Sequence, residues 1–306
     1  MITFTNQSLQ TILPILKTIL SKESNVIFTV LNPDVVKGYA GTSIEINGIT
    51  YLHRGYKAWT DMAELLYCKM TTPIIVDDVL VKITFTKLNS ISFHDDIKMS
   101  EKYGIHSHFS QLYKMEEPSF LYYYLQALEN VHVQNRTDIL DLGINRGDEF
   151  EVIKNLLDTN EYEKLNLTGI DYSETAVAYA KEKFHEDNTH FYIHNINDID
   201  SLKLGKFDLL ISIGTLQVTG IHFKPYFMHL IQNYMKKDAA IILGFPNSRW
   251  IGGEMVYGAK APNYTMSEMS ILFNDVIFCK KYLQQKKYRV TITGKHYIFL
   301  TATKIT

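Results

Sequence analysis

Apolar residues recur with two different spacings along this chain, and the spacing predicts where helices and strands lie. Over residues 7–22 they stand three or four apart, which is the pattern of one buried helix face, and residues 56–70 repeat it. Runs that predict strands cover 26–31, 43–46, 49–52 and 80–85. Asn47-Gly48 predicts a hairpin turn because both residues tolerate positive φ. We therefore expect a small α+β accessory or substrate domain over 1–95.

From residue 136 onward, short apolar runs alternate with helical patterns, which is typical of a doubly wound α/β sheet. The predicted strands cover 138–142, 166–170, 190–194, 207–212, 239–244, 288–293 and 296–302. The last two are joined closely through Gly294-Lys295, so they should pair as an antiparallel hairpin. Residues 96–135 read as a linker followed by capping helices, one of them over 117–129, and 136–306 as the second domain.

The most informative motif follows the first of these strands. Ile139–Gly147 leads from a buried strand into a turn with glycines at 143 and 147, and the turn opens a helix. Glycine lacks a Cβ, so the backbone can approach a ligand closely, and the helix presents unsatisfied N–H groups to it. Asp171 ends the next strand, where a ribose would lie. A dinucleotide site would need a third glycine, so a compact cofactor without phosphates suits this loop better than NAD.

From about residue 136 the chain resembles the class I S-adenosylmethionine-dependent methyltransferases. The matching motifs are 139–147 for the first motif, Asp171 for the ribose-binding acid, 191–199 for the third motif and 206–216 for the fourth. Asn145 stands where the family has a middle glycine, and Asn195 where it usually has an aspartate that meets the adenine amino group. Asparagine tolerates left-handed backbone, and its amide oxygen accepts a hydrogen bond, so neither departure conflicts with the resemblance.

The resemblance implies a seven-stranded methyltransferase sheet with an antiparallel C-terminal hairpin, S-adenosylmethionine as cofactor and S-adenosylhomocysteine as product. The residues that it implies for cofactor binding are Asp141, Gly143, Asn145, Gly147, Asp171, Tyr172, Asn195, Ile196, Ile213 and Gly214. In many members the segment before the first motif folds over the cofactor. Phe109 and Tyr113 are candidates for that contact, and the alternative for each ring is ordinary core packing.

Ligands of doubly wound sheets bind at the carboxyl ends of the strands, so the acceptor should lie against the loops after residues 212 and 244. His222 in the first loop is the candidate catalytic base, because an imidazole titrates near neutrality. A structural histidine is the alternative. The second loop holds the predicted substrate-binding residues Asn247, Arg249, Trp250, Glu254 and Tyr257. The guanidinium of Arg249 suits a carboxylate or phosphate, or else forms a salt bridge beside a packed tryptophan. No metal site is predicted.

Composition narrows the class of acceptor. The 306 residues carry a net charge of -2, which provides no general attraction to nucleic acid or to an anionic membrane. We expect methyl transfer to an oxygen or nitrogen nucleophile of a small molecule. An RNA acceptor such as tRNA stays open because of six cations, Lys280, Lys281, Lys286, Lys287, Arg289 and Lys295. A protein acceptor and a non-catalytic module that binds the cofactor or its product also stay open.

Two cysteines, Cys68 and Cys279, lie far apart in the sequence, which favours a reduced cytoplasmic protein. The first residues lack the basic start of a secretory signal, and no segment is apolar for long enough to span a membrane. The sequence leaves the oligomeric state open.

Overall fold

The computed structural model describes residues 2–89, 101–218, 220–259 and 269–305. Its strands are β1 (Ile2–Thr3), β2 (Asn25–Leu31), β3 (Ser43–Ile46), β4 (Ile49–Leu52), β5 (Cys68–Met70), β6 (Ile74–Ile75), β7 (Leu80–Lys87), β8 (Asp138–Leu142), β9 (Asn166–Asp171), β10 (Thr189–Ile193), β11 (Phe207–Ile213), β12 (Met235–Pro246), β13 (Ser248–Ile251), β14 (Glu254–Tyr257), β15 (Tyr288–Gly294) and β16 (Tyr297–Lys304). Its α-helices are α1 (Leu9–Lys22), α2 (Tyr56–Leu65), α3 (Pro118–Asn130), α4 (Asp148–Leu156), α5 (Thr159–Tyr162), α6 (Glu174–Lys183), α7 (Phe223–Asn233) and α8 (Ser270–Gln285).

The chain divides into two compact units. The smaller unit combines Met1–Ile91 with Trp250–Tyr257, and the larger combines Ser92–Arg249 with Gly258–Thr306. In the part of the chain that the structure describes, no helix has the length and apolar character needed to cross a bilayer.

The smaller unit is an α+β fold whose sheet follows the order β1-β2-β7-β5, with β6 also paired to β7. Phe28 anchors its core, 5.4 Å from the ring of Trp59 and 5.1 Å from that of Phe85. Asn47 and Gly48 join β3 to β4 with φ of 51° and 74°, as the sequence predicts. The predicted helix over 56–70 is too long. Helix α2 ends at Leu65, because residues 68–70 form β5, which pairs with β7 and buries Cys68.

The larger unit contains the doubly wound sheet, in the order β10-β9-β8-β11-β12-β16-β15. The first five strands run parallel, and β16 runs antiparallel to both β12 and β15. This confirms the predicted fold class and its C-terminal hairpin. The carboxyl ends of β8, β9 and β11 meet at one edge of the sheet, which we call the carboxyl edge, and the predicted site residues 141–147, 171–172 and 213–214 lie there.

The segment after β12 is a hairpin, although the sequence suggested a polar loop from residue 244. Strand β12 continues to Pro246, and β13 and β14 then pair through Gly252 and Gly253. These glycines have φ of 58° and 85°, the left-handed conformation that a two-residue hairpin turn requires. The Gly-Gly pair was therefore a turn signal that the loop interpretation overlooked.

Candidate functional site

The turn after β8 depends on glycine at two positions. Gly143 has a φ of 82°, and a Cβ there would lie 1.8 Å from Oγ1 of Thr215 in the loop after β11. Gly147 has a φ of 81°, and its Cβ would lie 2.6 Å from the ring of Phe184. Asn145 between them takes a φ of 47°, as expected of a residue that tolerates left-handed backbone. The turn therefore brings bare backbone to the carboxyl edge.

Asp171 is oriented by backbone N–H groups of the glycine turn and of the loop that follows β9. Its Oδ2 accepts a hydrogen bond of 2.9 Å from the N–H of Asn145, and its Oδ1 one of 2.9 Å from the N–H of Ser173. Burial raises the pKa of Asp171, and these N–H groups oppose that rise. A carboxylate has about four acceptor sites, so Asp171 can also accept a hydrogen bond from a ligand hydroxyl. The neighbouring Tyr172 is 57% exposed at the same edge.

Asn195 and Ile196 have local structural roles after β10. The Oδ1 of Asn195 accepts a 3.0 Å bond from the N–H of Asn197 and caps the 3-10 helix Ile196–Leu202. The side chain of Ile196 packs in the core, and its carbonyl accepts a 2.6 Å bond from the hydroxyl of Tyr226. An adenine contact at Asn195 would have to share the amide oxygen with this cap.

Two buried acids lie below the glycine turn. Asp141 on β8 is 1% exposed, and Glu149 in the first turn of α4 is 6% exposed. Burial raises the pKa of Asp141, which the charge of Glu149 raises further. Burial also raises the pKa of Glu149 to about 7, although the ammonium of Lys114 opposes the rise. The Oδ2 of Asp141 has no hydrogen-bond partner among the described residues.

Glu149 borders a narrow recess at the turn. The residues around the recess are Phe109, Leu112, Lys114, Met115, Gly143, Asn145, Arg146, Asp148 and Glu149. Its free volume of about 20 Å³ is close to that of a single water, so the segment above it has to shift to admit a ligand of cofactor size.

Residues 101–117, which we call the cap segment, cover the carboxyl edge. The carboxylate of Glu101 accepts hydrogen bonds from the hydroxyl of Ser173, at 2.8 Å, and from the N–H of Glu174, at 3.0 Å. The amide of Asn145 donates to the carbonyl of Tyr103 at 2.7 Å. The cap segment is thus tied both to the loop after β9 and to the glycine turn.

Arg146 ties down the other end of the cap segment. Its guanidinium donates to the carbonyls of Ser110, at 2.5 Å, and Leu112, at 3.2 Å, and lies 4.3 Å from the ring centroid of Tyr113. Of the two predicted capping rings, Tyr113 therefore stacks on this arginine, whereas Phe109 borders the recess.

Replacing Arg146 should loosen the cap segment. Arg146→Ala removes both carbonyl contacts and the stacking surface, so we expect proteolytic cleavage within residues 101–117 to become at least about fivefold faster, since lost contacts lower the local opening energy. The measurement is limited proteolysis with mass mapping of the cuts. Arg136→Ala is the matched control, because the guanidinium of Arg136 donates to the backbone carbonyls of Val131 and Asp238, outside the cap segment. Equal cleavage rates for wild type and Arg146→Ala would contradict this role.

His222 lies at the end of the loop after β11, as the N-cap residue that precedes α7. Its side chain is exposed, and its carbonyl accepts the N–H of Tyr226 at 3.0 Å. The predicted loop position is therefore correct, and Gly214 at the start of that loop has a φ of 75°.

The predicted substrate-binding residues fall into both units. Asn247 is 3% exposed, and its amide donates to the carbonyl of Lys295 at 2.9 Å, which ties the end of β12 to the turn of the C-terminal hairpin. Its Oδ1 is buried without a partner among the described residues. Arg249 belongs to the larger unit, whereas Trp250, Glu254 and Tyr257 belong to the smaller one.

The six cations considered for RNA binding do not share one surface. Lys295 lies in the turn after β15, at the carboxyl edge, whereas Arg289 is the second residue of that strand, at the opposite end. The pKa of Lys304 is lowered by burial and by the charges of Lys286, Lys237 and Lys287, which form a cluster at that opposite end. A larger cavity of about 420 Å³ between the end of α3 and β15–β16 also lies away from the glycine turn.

Sequence analysis did not identify four residues of this site: Glu101, Lys114, Arg146 and Glu149. Glu149 had a signal, because it stands four residues before the buried Ile153 and therefore on the buried face of α4. Lys114 had none, since its position depends on how the cap segment folds back. No group of three or more potential metal ligands occurs in the described ranges.

A parallel sheet extended by an antiparallel hairpin, with a glycine turn after β8 and a carboxylate ending β9, defines an α/β enzyme built around a nucleoside cofactor. The sequence profile of the methyltransferase domain family matches residues 134–292, just over half of the chain, and the chain belongs to that family. It is an S-adenosylmethionine-dependent methyltransferase. No curated protein matches the sequence.

Several solved structures resemble the chain at low sequence identity. The CurJ carbon methyltransferase aligns with a TM-score of 0.43 and 14% identity, over 68% of this chain and 57% of that one. The plantazolicin methyltransferase BpumL, solved with a monoazolic desmethylPZN analog and S-adenosylhomocysteine, aligns with a TM-score of 0.42 and 13% identity, over 68% of this chain and 94% of that one. The N-methyltransferase NodS from Bradyrhizobium japonicum, solved with S-adenosylhomocysteine, aligns with a TM-score of 0.42 and 12% identity, over 61% of this chain and 87% of that one.

Proposed function

We propose that this enzyme methylates an oxygen or nitrogen nucleophile of a small-molecule acceptor bound at the carboxyl edge of the larger sheet. The observation that carries the proposal is the exposed His222 on the loop after β11, at the edge where doubly wound sheets bind their ligands. Oxygen and nitrogen acceptors lose a proton on methylation, and an imidazole near neutrality can accept it. The near-neutral net charge of -2 favours a small molecule over RNA.

We assign the cofactor to the residues that the resemblance named. The carboxylate of Asp171 receives the ribose hydroxyls beside Tyr172, and Asn195 with Ile196 borders the adenine. The turn over Gly143–Gly147 passes along the ligand, Asp141 faces the methionine end, and Ile213 with Gly214 borders the methyl group. The close packing at both glycines, which leaves no space for a Cβ, and an unpartnered oxygen on Asp141 support this assignment.

The cofactor supplies an activated methyl group on a sulfonium, so the protein has three remaining tasks. The acceptor must be held in line with the methyl group, water must be excluded, and one proton must be removed. We assign exclusion of water to the cap segment and proton removal to an imidazole nitrogen of His222. Asn247 and Arg249 stay our proposed acceptor contacts, and the substrate-binding roles of Trp250, Glu254 and Tyr257 stay separate predictions for the smaller unit.

The acceptor class can be tested by label transfer. The purified enzyme and methyl-labelled S-adenosylmethionine are incubated in three separate reactions. One contains the low-molecular-weight fraction of a cell extract, one contains total RNA and one contains protein. Label that appears in the small-molecule fraction alone supports the proposal, and label in RNA or protein contradicts it. Tight cofactor binding without transfer to any fraction would favour the non-catalytic module.

The role of the smaller unit as a substrate domain and the cytoplasmic location also stay predictions.

Replacing His222 should slow turnover without weakening cofactor binding. With an acceptor in hand, we expect His222→Ala to lower kcat about 100-fold, because a positioned general base contributes roughly 10²–10⁴-fold. The S-adenosylhomocysteine Kd should stay within about twofold, since binding does not use the proton. His229→Ala is the matched control. His229 lies further along α7, and its Nε2 is 2.9 Å from Oδ1 of Asp200. Equal kcat for both variants would contradict a base at His222.

A further inference from the structure

The carboxylates beneath the glycine turn outnumber the cations that face them. Asp148 is already compensated, by Arg146 at 3.0 Å and Lys183 at 3.4 Å. Asp141 and Glu149 are left, and Lys114 is the cation that faces them within the described ranges. One ammonium can balance only one of two buried carboxylates. The second must bind a proton or a ligand cation, because an uncompensated buried charge is strongly unfavourable.

Lys114 is held beside the recess by aromatic rings. Its Nζ lies 5.7 Å from the ring centroid of Phe109, 5.9 Å from that of Phe120 and 5.8 Å from that of Tyr297. Burial would lower the pKa of Lys114, but Tyr297 and the carboxylates of Glu149, Asp148 and Asp141 raise it overall. Lys114 therefore stays protonated at neutral pH, and it provides one positive charge beside Asp141 and Glu149.

The pair also has an unused acceptor. The Oδ2 of Asp141 is buried and has no hydrogen-bond partner among the described residues, and the side chain of Glu149 borders the recess. Other groups near the pair are Asp171, whose charge opposes a further negative charge, and the hydroxyl of Tyr124, which donates to the carbonyl of Glu149 at 3.2 Å. None of these supplies a cation, so the pair suits a cationic ligand group.

We propose that Asp141 and Glu149 hold one proton between them in the free enzyme, and that the ammonium group of the cofactor's methionine moiety replaces this proton on binding. The proposal rests on the cofactor assignment above and deepens it by adding Glu149 to the site. The charges balance: the free enzyme holds Lys114 and one proton against two carboxylates, and the complex holds Lys114 and the ligand ammonium. The displaced proton passes to solvent.

The direction of the pH dependence follows from the raised pKa of Glu149, about 7. A bound cation lowers that pKa, so affinity for an ammonium-bearing ligand should rise with pH and level off above about 7. In the free enzyme a raised carboxyl pKa favours the protonated form. Its contribution to folding stability is therefore complete below the pKa of the unfolded chain, about 4.3, and is lost as the pH rises through 7.

The experiment is calorimetric titration of the whole enzyme with S-adenosylhomocysteine at pH 6.5 and 8.5, in buffers of different ionisation enthalpy. The dependence of the observed heat on the buffer gives the number of protons released. We expect release approaching one proton at pH 6.5 and almost none at pH 8.5, which lies above the pKa of about 7 of Glu149. 5′-Methylthioadenosine has no ammonium group, so it should bind without proton release at either pH.

Glu149→Gln and Asp141→Asn are the test variants. Each leaves one carboxylate for Lys114, so S-adenosylhomocysteine should bind with proton release reduced at least about threefold at pH 6.5. Asp187→Asn, a change outside the site, should release as many protons as wild type. Unchanged release in both test variants, or ligand binding to wild type without release, would overturn the proposal. Failure of wild type to bind either ligand would instead refute the cofactor assignment, and the proposal with it.

Discussion

Asp171→Ala is expected to weaken cofactor binding strongly. The carboxylate ends β9, and each of its oxygens already receives one backbone N–H, which aims the remaining lone pairs at the carboxyl edge. Losing two hydrogen bonds to a charged group, each worth about 1.5–3 kcal/mol, should raise the Kd for S-adenosylmethionine at least about 100-fold. Calorimetric titration with S-adenosylmethionine and S-adenosylhomocysteine measures the change.

A carboxylate at the opposite end of the sheet serves as the control. Asp208 also accepts backbone N–H groups, from Thr137 at 3.1 Å and Asp138 at 3.0 Å, and it faces Lys236 at 3.4 Å. Asp208→Ala should therefore reduce stability but leave the Kd within about twofold, since distant sites act independently. Asp171→Asn keeps the shape of the side chain and one acceptor, so its Kd should lie between wild type and Asp171→Ala. Wild-type affinity in Asp171→Ala would refute the ribose assignment.

Gly143→Ala is expected to be strongly destabilising. The residue has a φ of 82°, and its new methyl group would lie 1.8 Å from Oγ1 of Thr215. Left-handed backbone costs a residue with a Cβ about 1–2 kcal/mol, and overpacking adds about 1–3 kcal/mol, so we expect a loss of about 2–5 kcal/mol. Urea unfolding followed by circular dichroism measures the free energy, and cofactor affinity should fall with it because the turn must move.

The two causes can be separated by a second substitution. Thr215→Ala removes Oγ1 and Cγ2, the two atoms nearest to the added Cβ, so in the Gly143→Ala background it should recover part of the steric loss but none of the backbone strain. Gly205→Ala is the control, because nothing lies within 4 Å of its Cβ, and its stability should change by less than about 0.5 kcal/mol. Equal losses of unfolding free energy in Gly205→Ala and Gly143→Ala would contradict the proposed strain at Gly143.

The pattern of apolar residues predicted all seven strands of the larger sheet, and local physics explains why. Strands such as β8 and β11 are buried on both faces, so they appear as continuous apolar runs between polar turns. The C-terminal hairpin was visible because Gly294 closes a short turn, where its φ is 123°. The Asn47-Gly48 turn in the smaller unit was predictable for the same reason.

Where the prediction failed, the decisive contact was distant in sequence. Helix α2 stops at Leu65 because Cys68 pairs with Lys87, and helical spacing alone carries no trace of that strand partner. Asn195, which stands where the family usually has an aspartate, caps the following 3-10 helix, and its adenine contact stays a prediction. Its polar atoms are shared between that local role and the proposed adenine contact.

What the sequence determined by itself is the fold class, the order of the motifs and the nature of the cofactor. These depend on residues close together in the chain, on glycines that alone accept left-handed turns, and on a carboxylate that ends a strand. Only the tertiary structure decided which charges meet. Lys114 comes from the cap segment and Glu149 from the first turn of α4, and they share a recess because the chain folds back over its own glycine turn. Charges interact through space, so a buried pair with too few cations becomes visible only once the fold has brought its members together.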